Sequence, residues 1–401
     1  MKVLLSTWGG RGDVEPMVGL AAKLKAREAE VRVCAPPDED FARRLADVGV
    51  ALTPVGPSAR MLATAKPGTA SIPETAKAVI AGQFETLPQV AEGCDVIVAT
   101  GALPAAAGAL SVAEMLGIPA VSVTFQQLTL PAPDRRPLAY PGRPLPEDAT
   151  PDELWEFDRA SIELLFGEAL NANRTAHGLA PVDDVRAHVV TDEPWLASDP
   201  VLDPWSPAAG YDVVQTGAWI EPDPRPLPPA LLAFLDAGPP PVYVGFGSMP
   251  LHGSVDPADE AVAAIRAHGR RAVLMSGWAD LAPLEGADDC FVLPEVNQQA
   301  LFPRVATVIH HGGAGTTIAA TRSGTPQVVV PQAVDQPYWA GRVAALGVGV
   351  AHDGPVPTST SLAEALATTL SRDTRARATA VGGMVRVDGT AEAARLLLDR
   401  R

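Results

Sequence analysis

The stretch VLLSTWGGRGDVEPMVGLAAKLKA, residues 3–26, decides how the fold is read. Val3 to Ser6 is a short apolar run with no polar alternation, as in a strand covered on both faces. A turn with three glycines follows, and Val14 to Ala26 then carries apolar residues at helical spacing. Val31 to Cys34 reads as a second strand and Phe41 to Val48 as a second helix, so the chain opens βαβα. The alternation continues through Asp95 to Thr100, Ala105 to Leu116 and Ala120 to Thr124. Short apolar strands alternating with alanine-rich helices predict a parallel sheet with helices on both faces.

Further along, residues 131–151 hold seven prolines, which predicts a long surface loop within the first domain. A helix is predicted from Pro151 to His177, followed by a Trp/Pro-rich stretch from Pro194 to Pro207. The pattern then restarts, with strands at Val242 to Gly245, Ala272 to Met275, Val308 to His310 and Gln327 to Val330. Helices are predicted between and after them, at Leu231 to Ala237, Ala258 to Ala267, from near Thr316, Tyr338 to Leu346, Leu362 to Leu370 and Thr390 to Asp399. The predicted organisation is a first domain over 1–207 and a linker over 208–229 that ends in PDPRPLPP. A second domain spans 230–383, and a C-terminal helix in 384–401 packs back on the first. The fold class is α/β, with two Rossmann-like, doubly wound parallel sheets facing a central cleft. Open parallel sheets bind ligands at the carboxyl ends of their strands, which puts the site in that cleft.

Composition narrows the function classes. At 401 residues two domains are expected. A formal charge of −16 argues against nucleic acid and against an anionic membrane surface. No run of about 18 apolar residues occurs, so no membrane span is expected. The N-terminal apolar run is too short for a signal peptide. Cys34, Cys94 and Cys290 are few, odd in number and far apart, which fits reduced thiols and a cytoplasmic protein.

Four turns carry the chemistry. In Thr7 to Asp13, the glycines, Gly10 and Gly12 among them, allow close approach of a ligand. Arg11 can fork to a phosphate. Asp13, three residues before Pro16, can cap the helix or present a carboxylate to a ligand, and spacing leaves both readings open. G-x-G-x-x-G is not satisfied, because Glu15 stands where the last glycine belongs, so a nicotinamide site is disfavoured. In His310 to Thr317 (HHGGAGTT), small residues and hydroxyls open a helix after a strand, which suits a diphosphate. His311 is the histidine expected to reach that anion; His310 faces the other side of the strand end. Ser248, in GFGSM (245–249), can donate to a phosphate or simply belong to a tight turn. Asp335 and Gln336, in PQAVDQP (331–337), can hold vicinal hydroxyls of a sugar or serve as a helix cap. Asp38-Glu39-Asp40 reads as solvated acids in a first helical turn rather than a metal site, and no metal is assigned.

At these residues the chain resembles a two-domain, GT-B-fold glycosyltransferase of the actinomycete glycopeptide-antibiotic group, the vancomycin and teicoplanin type. The likeness runs from end to end. It rests on GGRGDVEP (9–16), DAGPPPVYVGFGSM (236–249), EVNQQALF (295–302), HHGGAGTT (310–317) and VVVPQAVDQPYWAGRVAALGVGVAHDGP (328–355). It is least in the loop from Phe125 to about Trp155, which in this family faces the acceptor. The resemblance implies an aglycone-binding first domain and a nucleotide-sugar-binding second domain. It makes Asp13 the general base, with Gly10 and Gly12 beside the acceptor. Arg11, Ser248, His311, Gly313, Gly315 and Thr316 would surround the diphosphate. Asp335 and Gln336 would meet the sugar, with Asp335 a second candidate for assisting the base. The backbone at Val296 would reach the pyrimidine. Pro294 and Ala319 stand where related plant enzymes carry a base-stacking Trp and a ribose-binding Glu, and Trp278 is a substitute near the base.

The reaction so implied is inverting transfer of a hexose from a nucleoside diphosphate sugar, UDP-linked in preference to dTDP-linked, to a hydroxyl of a heptapeptide aglycone. It requires neither metal nor cofactor, and a monomer is expected. A sugar diphosphate carries its own leaving group, so catalysis must stabilise charge on the leaving phosphate and remove a proton from the attacking oxygen. A sugar-nucleotide 2-epimerase and a non-catalytic nucleotide-sugar-binding protein are the alternatives on the same architecture.

Overall fold

The computed structural model describes residues 1–63, 71–140, 142–206, 210–246, 257–275 and 288–400. The chain forms two compact units: Met1–Glu221 with Arg386–Arg401, and Pro222–Val385. In the first unit the strands are β1 (Lys2–Ser6), β2 (Glu30–Ala35), β3 (Leu52–Pro54), β4 (Val96–Ala99), β5 (Ala120–Thr124), β6 (Trp195–Leu196) and β7 (Val214–Gln215). They lie in the order β3-β2-β1-β4-β5-β6-β7, every pair parallel. The second unit contains β8 (Val242–Gly245), β9 (Ala272–Met275), β10 (Cys290–Leu293), β11 (Thr307–His310), β12 (Gln327–Val329) and β13 (Gly349–Ala351). Their order is β10-β9-β8-β11-β12-β13, again all parallel.

Alternation along each central strand explains the apolar runs. Val3 and Leu5 join one buried cluster with Val33, Val96 and Val98; Leu4 joins another with Cys34, Ile97 and Ala99. In the second unit Val242 and Val244 pack with Ile309 and Val328, while Tyr243 packs with Val308 and Phe302. Both faces of both sheets are therefore dry, as parallel sheets require.

The sheets share one topology. The chain departs in opposite directions from β1 and β4 in the first unit, and from β8 and β11 in the second. A crevice opens beyond the strand ends at such a switch point. The turns after β1 and β11 are the ones that sequence reading singled out.

Several boundaries differ from expectation. Residues 208–229 are not a linker throughout, because Val214–Gln215 is the edge strand of the first sheet. The helix predicted from Pro151 to His177 is three pieces: Pro151–Ile162, a π-helical turn at Glu163–Gly167, and Glu168–Ala176. The helix after β11 begins at Ala314 rather than near Thr316. The C-terminal helix Gly389–Asp399 buries Ala393, Ala394 and Leu397 in the same cluster as Val14, Val18 and Ala21.

The proline-rich segment after β5 is tied down at several points. The Trp155 indole donates to the carbonyls of Ala132 (2.8 Å) and Arg135 (3.1 Å), and Arg143 Nε donates to Ser161 Oγ at 2.8 Å. All three anchors sit on the helix Pro151–Ile162 or pair with it. The loop is long because proline excludes regular structure, and side chains hold its described residues in place of the missing ladder.

Candidate active site

In the first unit the site residue is Asp13. The helix Arg11–Lys25 starts well ahead of Pro16, which lies inside it. Asp13 is the third helical residue, and its Oδ2 accepts from the Gly10 backbone N–H at 2.9 Å. Capping is thus real, but from inside the helix rather than ahead of Pro16. Gly9 is required beside it, since a Cβ there would lie 2.0 Å from Asp13 Oδ2. At Gly10 and Gly12 a Cβ would meet nothing within 4 Å, so the space beside the carboxylate is open. Arg11 is exposed and pairs with Glu15 at 3.7 Å, while Glu15 also holds Arg44 at 2.9 Å.

In the second unit β11 delivers two histidines with opposite roles. His310 is fully buried. Its Nδ1 accepts from the Gly312 backbone N–H at 3.1 Å, so Nε2 carries the proton and donates to Gln327 Oε1 at 2.9 Å. Gln327 Nε2 passes the chain to Thr321 Oγ1 at 2.8 Å, and that hydroxyl donates to the Thr317 carbonyl. Burial pushes the imidazole down to about 3, with further lowering from His311. His310 is therefore a neutral strut of the turn.

His311 is different. Burial lowers its pKa, and the Gly245 carbonyl opposes this in part. Its Nδ1 is buried without a hydrogen-bond partner among the described residues. A buried polar atom left unpaired costs about 1–3 kcal/mol, which a bound ligand can remove. The helix that follows, Ala314–Arg322, has Gly313 as its N-cap, which supplies no side-chain cap bond. Its leading N–H groups and the positive end of its dipole thus remain for an anion. A Cβ on Gly313 would lie 2.7 Å from His311 Nε2, whereas one on Gly315 would meet nothing within 4 Å. Thr316 stands in the same first turn.

The next turn, between β12 and the helix Gln336–Ala345, touches this one. Gly312, at φ +95°, is so close that a Cβ would come within 2.7 Å of Val329 Cγ1 and 3.2 Å of the Gln336 carbonyl. The structure thus brings His311, Gly313, Gly315 and Thr316 together with Asp335 and Gln336. Each of the last two already has an atom engaged. Asp335 Oδ2 accepts from the Trp339 indole at 2.8 Å. Burial pushes the Asp335 carboxyl up, and the indole bond offsets part of that. Gln336 Oε1 accepts from the backbone N–H of Gln332 (2.7 Å) and of Ala333 (3.2 Å). That clamp holds Val334 at φ +57°, a conformation that costs an L-residue roughly 1–2 kcal/mol.

Val296 buries its side chain in the second unit's core, leaving only its backbone for a ligand. Asn297 beside it caps the next helix through Ala300 N–H (3.0 Å) and ties the Asp223 and Arg225 carbonyls. Ser248 and Trp278 lie outside the described residues. Asp38 is not a solvated acid: it is buried and accepts from Ser58 Oγ, Ala59 N–H and Arg60 N–H. Among the described residues no group of three or more His, Cys, Asp or Glu is arranged to hold a metal ion. No helix among them is long and apolar enough to cross a membrane. Sequence reading missed Trp339, Gln327 and Thr321. Trp339, four residues after Asp335 on a helix, had a signal in its spacing.

Two doubly wound sheets with a phosphate-type turn on the second define the class, a GT-B glycosyltransferase. A solved structure of the same fold is the glycotransferase of kitacinnamycin, with a TM-score of 0.74 at 20% identity over 99% of this chain and 98% of that one. Residues 3–130 match the glycosyltransferase family 28 N-terminal domain, and residues 291–392 match the erythromycin biosynthesis protein CIII-like C-terminal domain. The chain is 54% identical to the vancomycin aglycone glucosyltransferase of Amycolatopsis orientalis, over 100% of this chain and 97% of that protein. It is 55% identical to glycosyltransferase GtfE of the same organism, over 99% and 97%. The chain belongs to the glycopeptide-antibiotic, vancomycin-type family of glycosyltransferases.

Proposed function

We propose that this enzyme transfers a hexose from a UDP-sugar to a hydroxyl of a glycopeptide heptapeptide aglycone, inverting the anomeric carbon, without a metal or other cofactor. The observation that supports the reading is the start of the helix Ala314–Arg322, whose N-cap Gly313 offers no side chain, next to His311, whose Nε2 lies against Gly313 and whose Nδ1 lacks a partner among the described residues. In this reading the diphosphate occupies that turn, bonded by the N–H groups of Gly315 and Thr316, the Thr316 hydroxyl and His311. Gly313 leaves room for its approach. Arg11 and Ser248 complete the anion's surroundings, and the Val296 backbone meets the base. Asp335 and Gln336 meet the sugar hydroxyls. A half-buried carboxylate such as Asp335 pays less to meet hydroxyls than to stand alone.

At the other end Asp13 accepts the proton of the attacking hydroxyl, which approaches over Gly10 and Gly12. Negative charge builds on the leaving phosphate just as the helix dipole and donors face it. Attack and departure on opposite sides of the sugar invert the anomeric centre, so an α-linked donor gives a β-glycoside. Likeness to a vancomycin aglycone glucosyltransferase supports the acceptor class and a glucose-like sugar.

Asp13→Asn tests the base. The amide oxygen still accepts from Gly10 N–H, so the helix start survives, but it cannot take a proton. The expected result is a loss of about 10²–10⁴ in kcat, with UDP affinity unchanged. Near wild-type turnover by this variant would refute the role.

A further inference from the structure

Among the described residues three non-glycines hold positive φ: Glu28, Thr191 and Val334. Of these only Val334 lies within the turns built around His311 and Asp335. It is β-branched, the residue type least suited to this conformation. Its side chain is 63% exposed, so core packing does not offset the strain. Glycine at this φ would be the more stable choice. The conformation persists because the turn is held on both sides. Gln336 Oε1 clamps the N–H groups of Gln332 and Ala333, and Gln332 Nε2 is itself tied to the carbonyls of Pro355 (2.8 Å) and Val330 (3.2 Å). Strain over-determined by its surroundings, at a site, points to a role for the side chain it presents.

We infer that Val334 is a specificity-determining contact for the donor: its isopropyl group packs on a C–H or methyl edge of the sugar next to the hydroxyls met by Asp335 and Gln336. This rests on the proposed function, because it takes the sugar to lie at the Asp335 turn. The turn then reads the sugar in two ways. Carboxylate and amide select hydroxyls, and the adjoining apolar group selects an edge that needs no hydrogen bond. A hydroxyl directed at Val334 would be desolvated without a partner, which discriminates against it.

Two substitutions separate strain from contact. Val334→Thr keeps the branched shape and replaces a methyl by a hydroxyl, whereas Val334→Gly removes both the strain and the contact. Full-length wild type and both variants are assayed with UDP-glucose and UDP-6-deoxyglucose on a heptapeptide aglycone, with UDP affinity and thermal midpoint measured alongside. The KM for at least one donor is expected to rise about tenfold in each variant, with UDP affinity within about twofold of wild type. The thermal midpoint should hold or rise for Val334→Gly. Nuclear Overhauser effects from the Val334 methyls to sugar protons of bound UDP-glucose are expected in wild type. Wild-type KM for both donors in both variants, or no such effect in a bound complex, would overturn the contact. A wild-type enzyme that transfers from neither donor overturns the proposed function instead, and the methyl-to-sugar effect then decides the contact by itself.

Discussion

His310 illustrates how a polar residue is made structural. Fully buried, it accepts from Gly312 and donates to Gln327, so only the neutral ring satisfies both partners. Its folded pKa, down to about 3, lies well below the unfolded value of about 6.5. The unfolded chain therefore binds the proton first, and stability falls as pH drops below about 6.5. Between pH 6.5 and 5 this one group should remove about 2 kcal/mol. The check is the His310 imidazole resonance, expected to stay at its neutral position down to pH 5. A titration near 6.5 in the folded protein would refute the assignment. His311, one residue on, has the opposite character: its Nδ1 has no partner among the described residues, and its Nε2 lies against Gly313, the N-cap of the next helix. That the two histidines differ was legible as a side-chain alternation, since neighbours at a strand end point to opposite faces.

At the scale of elements, the segment 131–150 shows what pattern reading reaches and where it stops. Seven prolines over 131–151 excluded helix and sheet, and a loop is what formed. Its order came from outside the segment, from Trp155, Ser161 and their helix. Trp155→Phe keeps most of the buried ring but removes the donor to the Ala132 and Arg135 carbonyls. It is expected to cost about 1–3 kcal/mol and to speed proteolytic cleavage within 131–150. Unchanged cleavage would show that the indole bond does not hold the loop. The strands β3, β6, β7, β10 and β13 escaped sequence reading. β6 and β7 span two residues each, too few for a pattern to register, and pairing with an existing strand defines them.

For the whole molecule, the first unit is closed by the last residues of the chain. Leu397 is fully buried, and Ala393 and Ala394 lie beside it in the cluster of the opening helix. Gly389 admits the crossing, since a Cβ there would sit 2.3 Å from the Ala218 carbonyl. Leu397→Ala should destabilise the unit of residues 1–221 and 386–401 by about 2–5 kcal/mol, measured as a lower denaturant midpoint in fluorescence of its tryptophans. A midpoint within error of wild type would show that the helix contributes little to this core.

Much of the site could be read from local sequence. A strand, a glycine turn and a helix start are consecutive in the chain, so Asp13 and the His311 turn were recognisable without tertiary information. The helix starts were placed late, because Pro16 suits a first turn and an apolar pattern registers only once a helix is under way, whereas the backbone turns helical at Arg11 and at Ala314.

Chain order alone determined the class of fold, because apolar runs with a period that fits strands and helices leave few ways to bury both faces of a sheet. Tertiary structure alone decided which polar atoms remained for chemistry. The turns put Gln336 Oε1 on the N–H groups of Gln332 and Ala333, Asp335 Oδ2 on the Trp339 indole and His310 Nδ1 on the Gly312 N–H; packing puts His310 Nε2 on Gln327 and leaves His311 Nδ1 without a partner among the described residues, and such pairing depends on three-dimensional distances that no linear pattern contains.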